Sequence, residues 1–198
     1  MTKQLNNKPG RSEAEEAVRT LIKWAGDNPD REGLRDTPKR VVDAYQEFFI
    51  GYTEDPAVIL SRTFEEVEGY DEMVLLKNMR LESHCEHHMV PIIGMAHIAY
   101  IPDKRIVGIS KIARLVDIFA KRLQTQESLT AQLAATINMH LNPKGVAVVI
   151  DAAHQCMTTR GVHKTDTNTI TSKMLGLFKS DPRTRAEFMH VIASGSLG

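Results

Sequence analysis

Near Met73 the hydrophobic pattern of this 198-residue chain changes period, and that change restricts its fold more than any other feature. Upstream, apolar residues recur at helical spacing: Ala14, Ala17, Val18, Leu21, Ile22 and Ala25, then Val41, Val42, Tyr45, Phe48 and Phe49. Residues three and four apart share one face of a helix, so both runs predict amphipathic helices. Ser12 with Glu15 reads as a capping box for the first, which ends at Gly26 to Pro29. Thr37 reads as the N-cap of the second, with Pro38 as its first helical residue. Downstream the period becomes two: 73–76 with 79–83 predicts one strand and 92–101 another, followed by turn residues and a short return run at 106–108. Ser110 is expected to cap a helix bearing Ile112, Leu115, Val116, Phe119, Ala120 and Leu123. A further helix carries Leu129, Leu133, Ile137 and Leu141 and stops at Asn142 and Pro143. A β-branched strand at 146–150 continuing towards Cys156, a threonine-rich strand at 165–172 and a helix at 183–192 complete the pattern. Strands bracketing two adjacent helices imply an α+β fold on an antiparallel sheet. Residues 1–11 are expected to form a loose arm, 12–70 a helical region and 71–198 the sheet-bearing catalytic domain.

Charge narrows the function classes. Lys and Arg number 25, as do Asp and Glu, so the net charge is zero. That balance argues against a protein gripping nucleic acid along a broad basic surface. No apolar run approaches the ~20 residues that cross a bilayer, and the first residues lack a secretory pattern. The expected location is the cytoplasm, with no membrane or nucleic-acid partner. The two cysteines, Cys85 and Cys156, are then expected as thiols, and a disulfide between them is disfavoured in a reducing compartment.

Chemistry concentrates in Ser83, His84, Cys85, Glu86, His87 and His88. Cys85 and His88 are spaced so that one tight turn can aim a thiolate and an imidazole at one point, the ligand types zinc prefers. Cys156 is expected on a strand, with His154 two residues earlier on the same face. Three such ligands leave a fourth position open, as catalytic zinc requires, although a purely structural site uses the same residue types. His84 and His97 read as ordinary sheet residues. Gly108, Ser110, Lys111 and Arg114 place two cations and unpaired N–H groups at a helix start, a combination that binds phosphate, and Arg160 is a candidate third cation. Gln126 and Glu127 could read a purine edge, because a carboxylate accepts from two adjacent N–H groups.

These residues together resemble the GTP cyclohydrolase I family. The resemblance rests on Thr37, Pro38, Lys39, Arg40 and Val41, on Gly51 and Tyr52, and on the 83–88 cluster. It also rests on Gly108 to Lys111, Gln124 to Glu127, His154 to Met157 with Arg160 and Gly161, Gly176 to Phe178, and Thr184 to Phe188. It implies a zinc-dependent enzyme that opens the guanine ring of GTP at C8, releases formate and yields 7,8-dihydroneopterin triphosphate. By the same resemblance Cys85, His88 and Cys156 hold Zn2+, and His87 and His154 transfer protons. Gln126 and Glu127 face the nucleotide, while Ser110, Lys111, Arg114 and Arg160, helped by Arg40, clamp the triphosphate. The implied architecture is the tunnelling fold, an antiparallel sheet with two helices on one face, preceded by an N-terminal helical segment. The implied assembly is a homo-oligomer, a decamer of two pentamers, with sites between protomers. Leu123 departs from the proline common in the family. Two other readings remain open at this point: a zinc-stabilised assembly module without activity, and another pterin or deazapurine enzyme of the same fold.

Overall fold

The computed structural model describes residues 8–61, 63–64 and 69–194. Residues 1–7 of the expected arm lie outside this range, and residues 8–10 are exposed and without regular structure. Helix α1 (Arg11–Trp24) packs against α2 (Thr37–Phe48), and Arg11 links them through Asp43 at 2.7 Å. The expected caps shift by two residues in α1 and by one in α2. Helix α1 starts from Gly10 without a side-chain cap, and Glu15 is engaged by Arg11 at 2.8 Å rather than by Ser12. Asp36, not Thr37, is the N-cap of α2, and its carboxylate turns to Arg40 at 3.4 Å. Helix α3 (Pro56–Leu60) is capped by Asp55, which accepts from the Ala57 N–H at 2.9 Å.

Strand β1 (Thr63–Phe64) precedes the long antiparallel pair β2 (Val74–Cys85) and β3 (Pro91–Ile101). The return run, β4 (Ile106–Val107), pairs with β1 instead of folding back on β3. Strand β3 has no free edge to offer, because β2 and a later strand flank it on both sides. Helix α4 (Ile109–Ala120) leads into β5 (Leu123–Gln124), which runs parallel to the end of β2. Leu123 therefore belongs to a strand and not to the α4 stripe. Helix α5 (Gln126–Leu141) closes on Asn142, which adopts the left-handed conformation at φ 45°. Then come β6 (Gly145–His154), α6 (Gln155–Thr158), β7 (Asn168–Gly176), α7 (Leu177–Ser180) and α8 (Pro182–Ala193). The sheet order is β5-β2-β3-β6-β7.

Alternation along β6 divides the core into two layers. Val146, Val148, Ile150 and Ala152 face α4 and α5, meeting Ile112, Leu115, Leu133 and Ile137. Ala147 and Val149 face the other way, towards Phe178 and Phe188 of α7 and α8. The chain is thus α+β, with the two expected helices on one face and the C-terminal pair on part of the opposite face. Truncating Leu133 or Ile137 to alanine removes a fully buried side chain and costs about 2–5 kcal/mol.

Two buried histidines tie the fold to pH. His84 stacks on Phe48 at 4.7 Å and Phe49 at 5.2 Å between ring centroids. His97 accepts at Nδ1 from the Asn78 N–H at 3.3 Å, where β2 carries an irregularity and Asn78 a φ of 56°. Burial is the main cause that holds both pKa values below the ordinary 6.5. The unfolded chain therefore binds protons that the folded chain refuses, so their contribution is present above about pH 6.5 and declines as pH falls. We expect the urea midpoint of metal-free protein to drop between pH 7.5 and 5.5. The drop should be smaller in His84→Phe, which keeps the stacked ring but takes no proton.

Candidate active site and metal centre

The turn between β2 and β3 is built around Cys85. Its N–H donates to the Val90 carbonyl at 2.9 Å, and the Met89 N–H donates back to the Cys85 carbonyl at 2.8 Å. Met89 closes the turn at φ 55°, an uncommon conformation for a side chain of its size. On the other side β5 pairs Gln124 with Cys85, and the Glu86 N–H donates to the Gln124 carbonyl at 3.2 Å. Held this way, Cys85 is only 5% exposed. His87 and His88 stand outside it, with Nδ1 atoms 3.6 and 3.9 Å from its sulfur.

Cys156 reaches the same place by a different route from the one its spacing suggested. Strand β6 stops at His154, and Cys156 projects from the helical turn α6. The Thr158 and Thr159 hydroxyls donate to Gln155 and favour that turn over continued strand. Cys85, His88 and Cys156 each offer one donor atom, and these lie within 4.8 Å of one another. Tetrahedral zinc at ordinary bond lengths separates its ligands by ~3.5–3.8 Å, so a slight contraction brings all three onto one ion. Burial, and then the neighbouring Cys85, push the Cys156 thiol above its ordinary value. Two adjacent thiolates repel unless a cation lies between them, and a divalent metal supplies that cation. The donor set therefore fits zinc. Arg160 approaches from outside, its guanidinium 3.0 Å from His88 Nε2.

His154 ends β6 opposite Ile92, one residue beyond the start of β3 and so at the same end of the sheet as the Cys85 turn. Its Nε2 lies 2.7 Å from Gln126 Oε1, and burial lowers its pKa while nearby Glu127 raises it. Glu127 is exposed, as a group awaiting a ligand must be. Gln126 is not: at 1% exposure its side chain is turned to the sheet, where Nε2 meets the carbonyls of Ile150 and Thr169 and the Thr171 hydroxyl. The Gln126 side chain is thus engaged by His154 and the strands.

The phosphate-binding candidates do not gather at the Cys85 turn within one chain. Helix α4 starts from Gly108 with no side-chain cap, so Ser110 is an exposed first-turn residue and not the cap. Lys111 Nζ donates to the Ile59 carbonyl at 3.3 Å. Because the far end of α4 feeds β5, Ser110 and Lys111 sit a helix length of roughly 16 Å from that end. Arg114 lines a groove with Ile50, Glu54, Asp117 and Lys121, with a cavity volume of about 430 Å³. Arg40 stays with Asp36 on the exposed side of α2. Sequence reasoning did not single out Gln124 as a support, whose side chain bonds the Phe119 carbonyl and Ser83 Oγ from inside the core. Of its partners Ser83 is distant in sequence, and Phe119 offers only a backbone carbonyl, so neither leaves a signal in residue type.

The model of the GTP cyclohydrolase I family matches residues 14–193. The chain belongs to the GTP cyclohydrolase I family. A GTP cyclohydrolase 1 of Maricaulis maris is 59% identical over 95% of this chain and 92% of its own length. The Hyphomonas neptunium enzyme of that name is 61% identical over 93% and 89%, and that of Brucella abortus 59% over 96% and 89%. Among solved structures, an archaeosine synthase QueF-like protein in the apo form aligns with a TM-score of 0.45 and 20% identity, over 52% of this chain and 93% of its own. A dihydroneopterin aldolase from Burkholderia thailendensis bound to guanine aligns with a TM-score of 0.33 and 12% identity, over 53% and 90%. Among the described residues no helix is long and apolar enough to cross a membrane.

Loss of one donor leaves two, too few for a stable catalytic shell. Cys85→Ser, His88→Ala and Cys156→Ser are each expected to lower bound zinc at least ~10-fold by elemental analysis. Full metal content in any one of them would remove that residue from the shell.

Proposed function

We infer that this chain hydrolyses the guanine ring of GTP at C8, releases formate and rearranges the ribose to give 7,8-dihydroneopterin triphosphate. The observation that carries the reading is the convergence of Cys85, His88 and Cys156 from a hairpin and a distant turn onto one point, beside an exposed carboxylate and a half-buried imidazole. Zinc in that shell supplies a Lewis acid that makes water nucleophilic near neutral pH.

The remaining work falls to side chains. Glu127 accepts from the adjacent N–H groups of the guanine edge and so fixes the ring. His154, kept neutral at pH 7 by burial, is ready to take a proton, and His87 is exposed and within reach of the Cys85 turn. The internal rearrangement of the ribose needs no redox cofactor, since oxidation changes stay within the substrate.

The triphosphate clamp is Arg160 with Ser110, Lys111 and Arg114, and Arg40 at its margin. Arg160 stands at the metal turn, whereas Ser110 and Lys111 stand at the start of α4. A single chain separates these groups, so we place each complete site between two copies, in the homo-oligomer of two stacked pentamers that the family resemblance implies. The large apolar side chains left exposed on α1 and α2, Trp24 at 85% among them, are consistent with burial in such an assembly. Cytoplasmic location belongs to the same reading.

Incubation with GTP should release formate and, after oxidation, a fluorescent pterin; absence of both overturns the reading. Lys111→Ala and Arg160→Ala should each raise KM for GTP ~10- to 100-fold, the worth of a charge-assisted hydrogen bond. Affinity for guanosine should stay unchanged, and equal losses for both ligands would remove these residues from the clamp. Co-expression of Lys111→Ala with Cys85→Ser should restore part of the activity that each lacks alone. No recovery would place the whole site within one chain.

A further inference from the structure

Counting hydrogens around the first residue of α5 fixes the state of the ring it touches at the end of β6. Thr130 Oγ1 donates its one hydrogen to the Gln126 carbonyl at 2.7 Å. The 2.6 Å contact between the Thr130 and Thr171 hydroxyls must then run from Thr171 to Thr130, which leaves Thr171 Oγ1 free to accept. Three acceptors surround Gln126 Nε2: the Thr169 carbonyl at 2.8 Å, the Ile150 carbonyl at 3.1 Å and Thr171 Oγ1 at 3.1 Å. Two of these are backbone carbonyls, which cannot donate. The amide of Gln126 is therefore held with its nitrogen towards the strands and its oxygen towards His154.

That oxygen only accepts, and it lies 2.7 Å from His154 Nε2. The hydrogen between them must reside on the ring nitrogen. An inverted amide would set its oxygen against the Ile150 and Thr169 carbonyl oxygens with no hydrogen between them, at a site only 1% exposed where no water can compensate.

We propose that Gln126 is a positioning residue that holds His154 as the Nε2–H tautomer, making Nδ1 the nitrogen that exchanges the proton with substrate. The proposal rests on the reading of His154 as a proton-transfer group. It assigns Gln126 an indirect role: binding of GTP does not draw on the Gln126 side chain, whereas turnover depends on it. Thr130 and Thr171 complete the device by ordering the amide, and the β6–β7 ladder supplies its carbonyls.

The test uses zinc-loaded protein labelled with 15N in its histidine rings and sedimented for magic-angle-spinning NMR, with His154 assigned by comparison with His154→Asn. Wild type should give the Nε2–H pattern at pH 7.5. In Gln126→Met, of similar length but without the acceptor, both tautomers should appear. Its kcat should fall ~10- to 100-fold, part of the range that general acid–base catalysis spans. Its KM for GTP should stay within about twofold and its zinc content unchanged. An Nδ1–H pattern in wild type overturns the proposal, and so does a Gln126→Met variant that loses GTP affinity with kcat and tautomer preserved. If that variant does not fold, the wild-type spectrum alone decides. A wild-type protein inert towards GTP would instead overturn the assigned reaction, an outcome the spectrum does not depend on.

Discussion

Cys85 is held from two directions by backbone, and the rest of the site is arranged around that fact. The turn to β3 grips its N–H and carbonyl, while β5 pairs along its open edge. A thiol anchored so firmly offers a fixed point beside which His88 on the turn and Cys156 on α6 come to lie. β5 is only two residues long and is kept in place by what surrounds it. The Gln124 side chain reaches Phe119 and Ser83, and the Arg122 guanidinium donates to the Gly51 carbonyl at 2.9 Å. Gly51 can approach α4 so closely only because it lacks a Cβ, which would collide with the Ile118 and Lys121 carbonyls. The N-terminal helical region thereby supports a strand that in turn supports the metal turn.

The same economy appears at the start of α5. Thr125 caps the helix, its hydroxyl accepting from the Ser128 N–H at 3.2 Å, so Gln126 and Glu127 occupy the first turn in fixed orientations. One points inward and is saturated by protein partners, while the other points outward and is left free. Adjacent residues thus face core and solvent because helical geometry turns successive side chains by about 100°.

The sequence made the long strands and the two covering helices legible because their apolar residues follow a strand or helix pattern, as along β6 and α4, whereas β5 is two residues long and Leu123 fell into the α4 stripe. It also pointed, by residue type, to Cys85, His88 and Cys156, which the fold does bring together. The route of Cys156 was not legible. Period two extended naturally past His154, and only the threonine hydroxyls folding back on Gln155 convert that stretch to a helical turn. Nor was the inward turn of Gln126, whose three partners lie on strands more than twenty residues away. The caps of α1, α2 and α4 were misplaced for a local reason: Ser12, Thr37 and Ser110 sit one or two residues inside helices that begin on Gly10, Asp36 and Gly108. A helix start that is exposed can take its hydrogen bonds from water and has little need of the hydroxyl.

The Leu123 backbone N–H donates to the Tyr52 hydroxyl at 3.1 Å, and the same hydroxyl donates to the Leu123 carbonyl at 3.5 Å. An imino acid in that place brings no hydrogen, so the phenol could approach the strand there only as a donor. A proline at 123 would remove one of the two contacts and leave the other, because the phenol can still donate to the carbonyl of that residue. The link between the N-terminal region and β5 would loosen there rather than be lost.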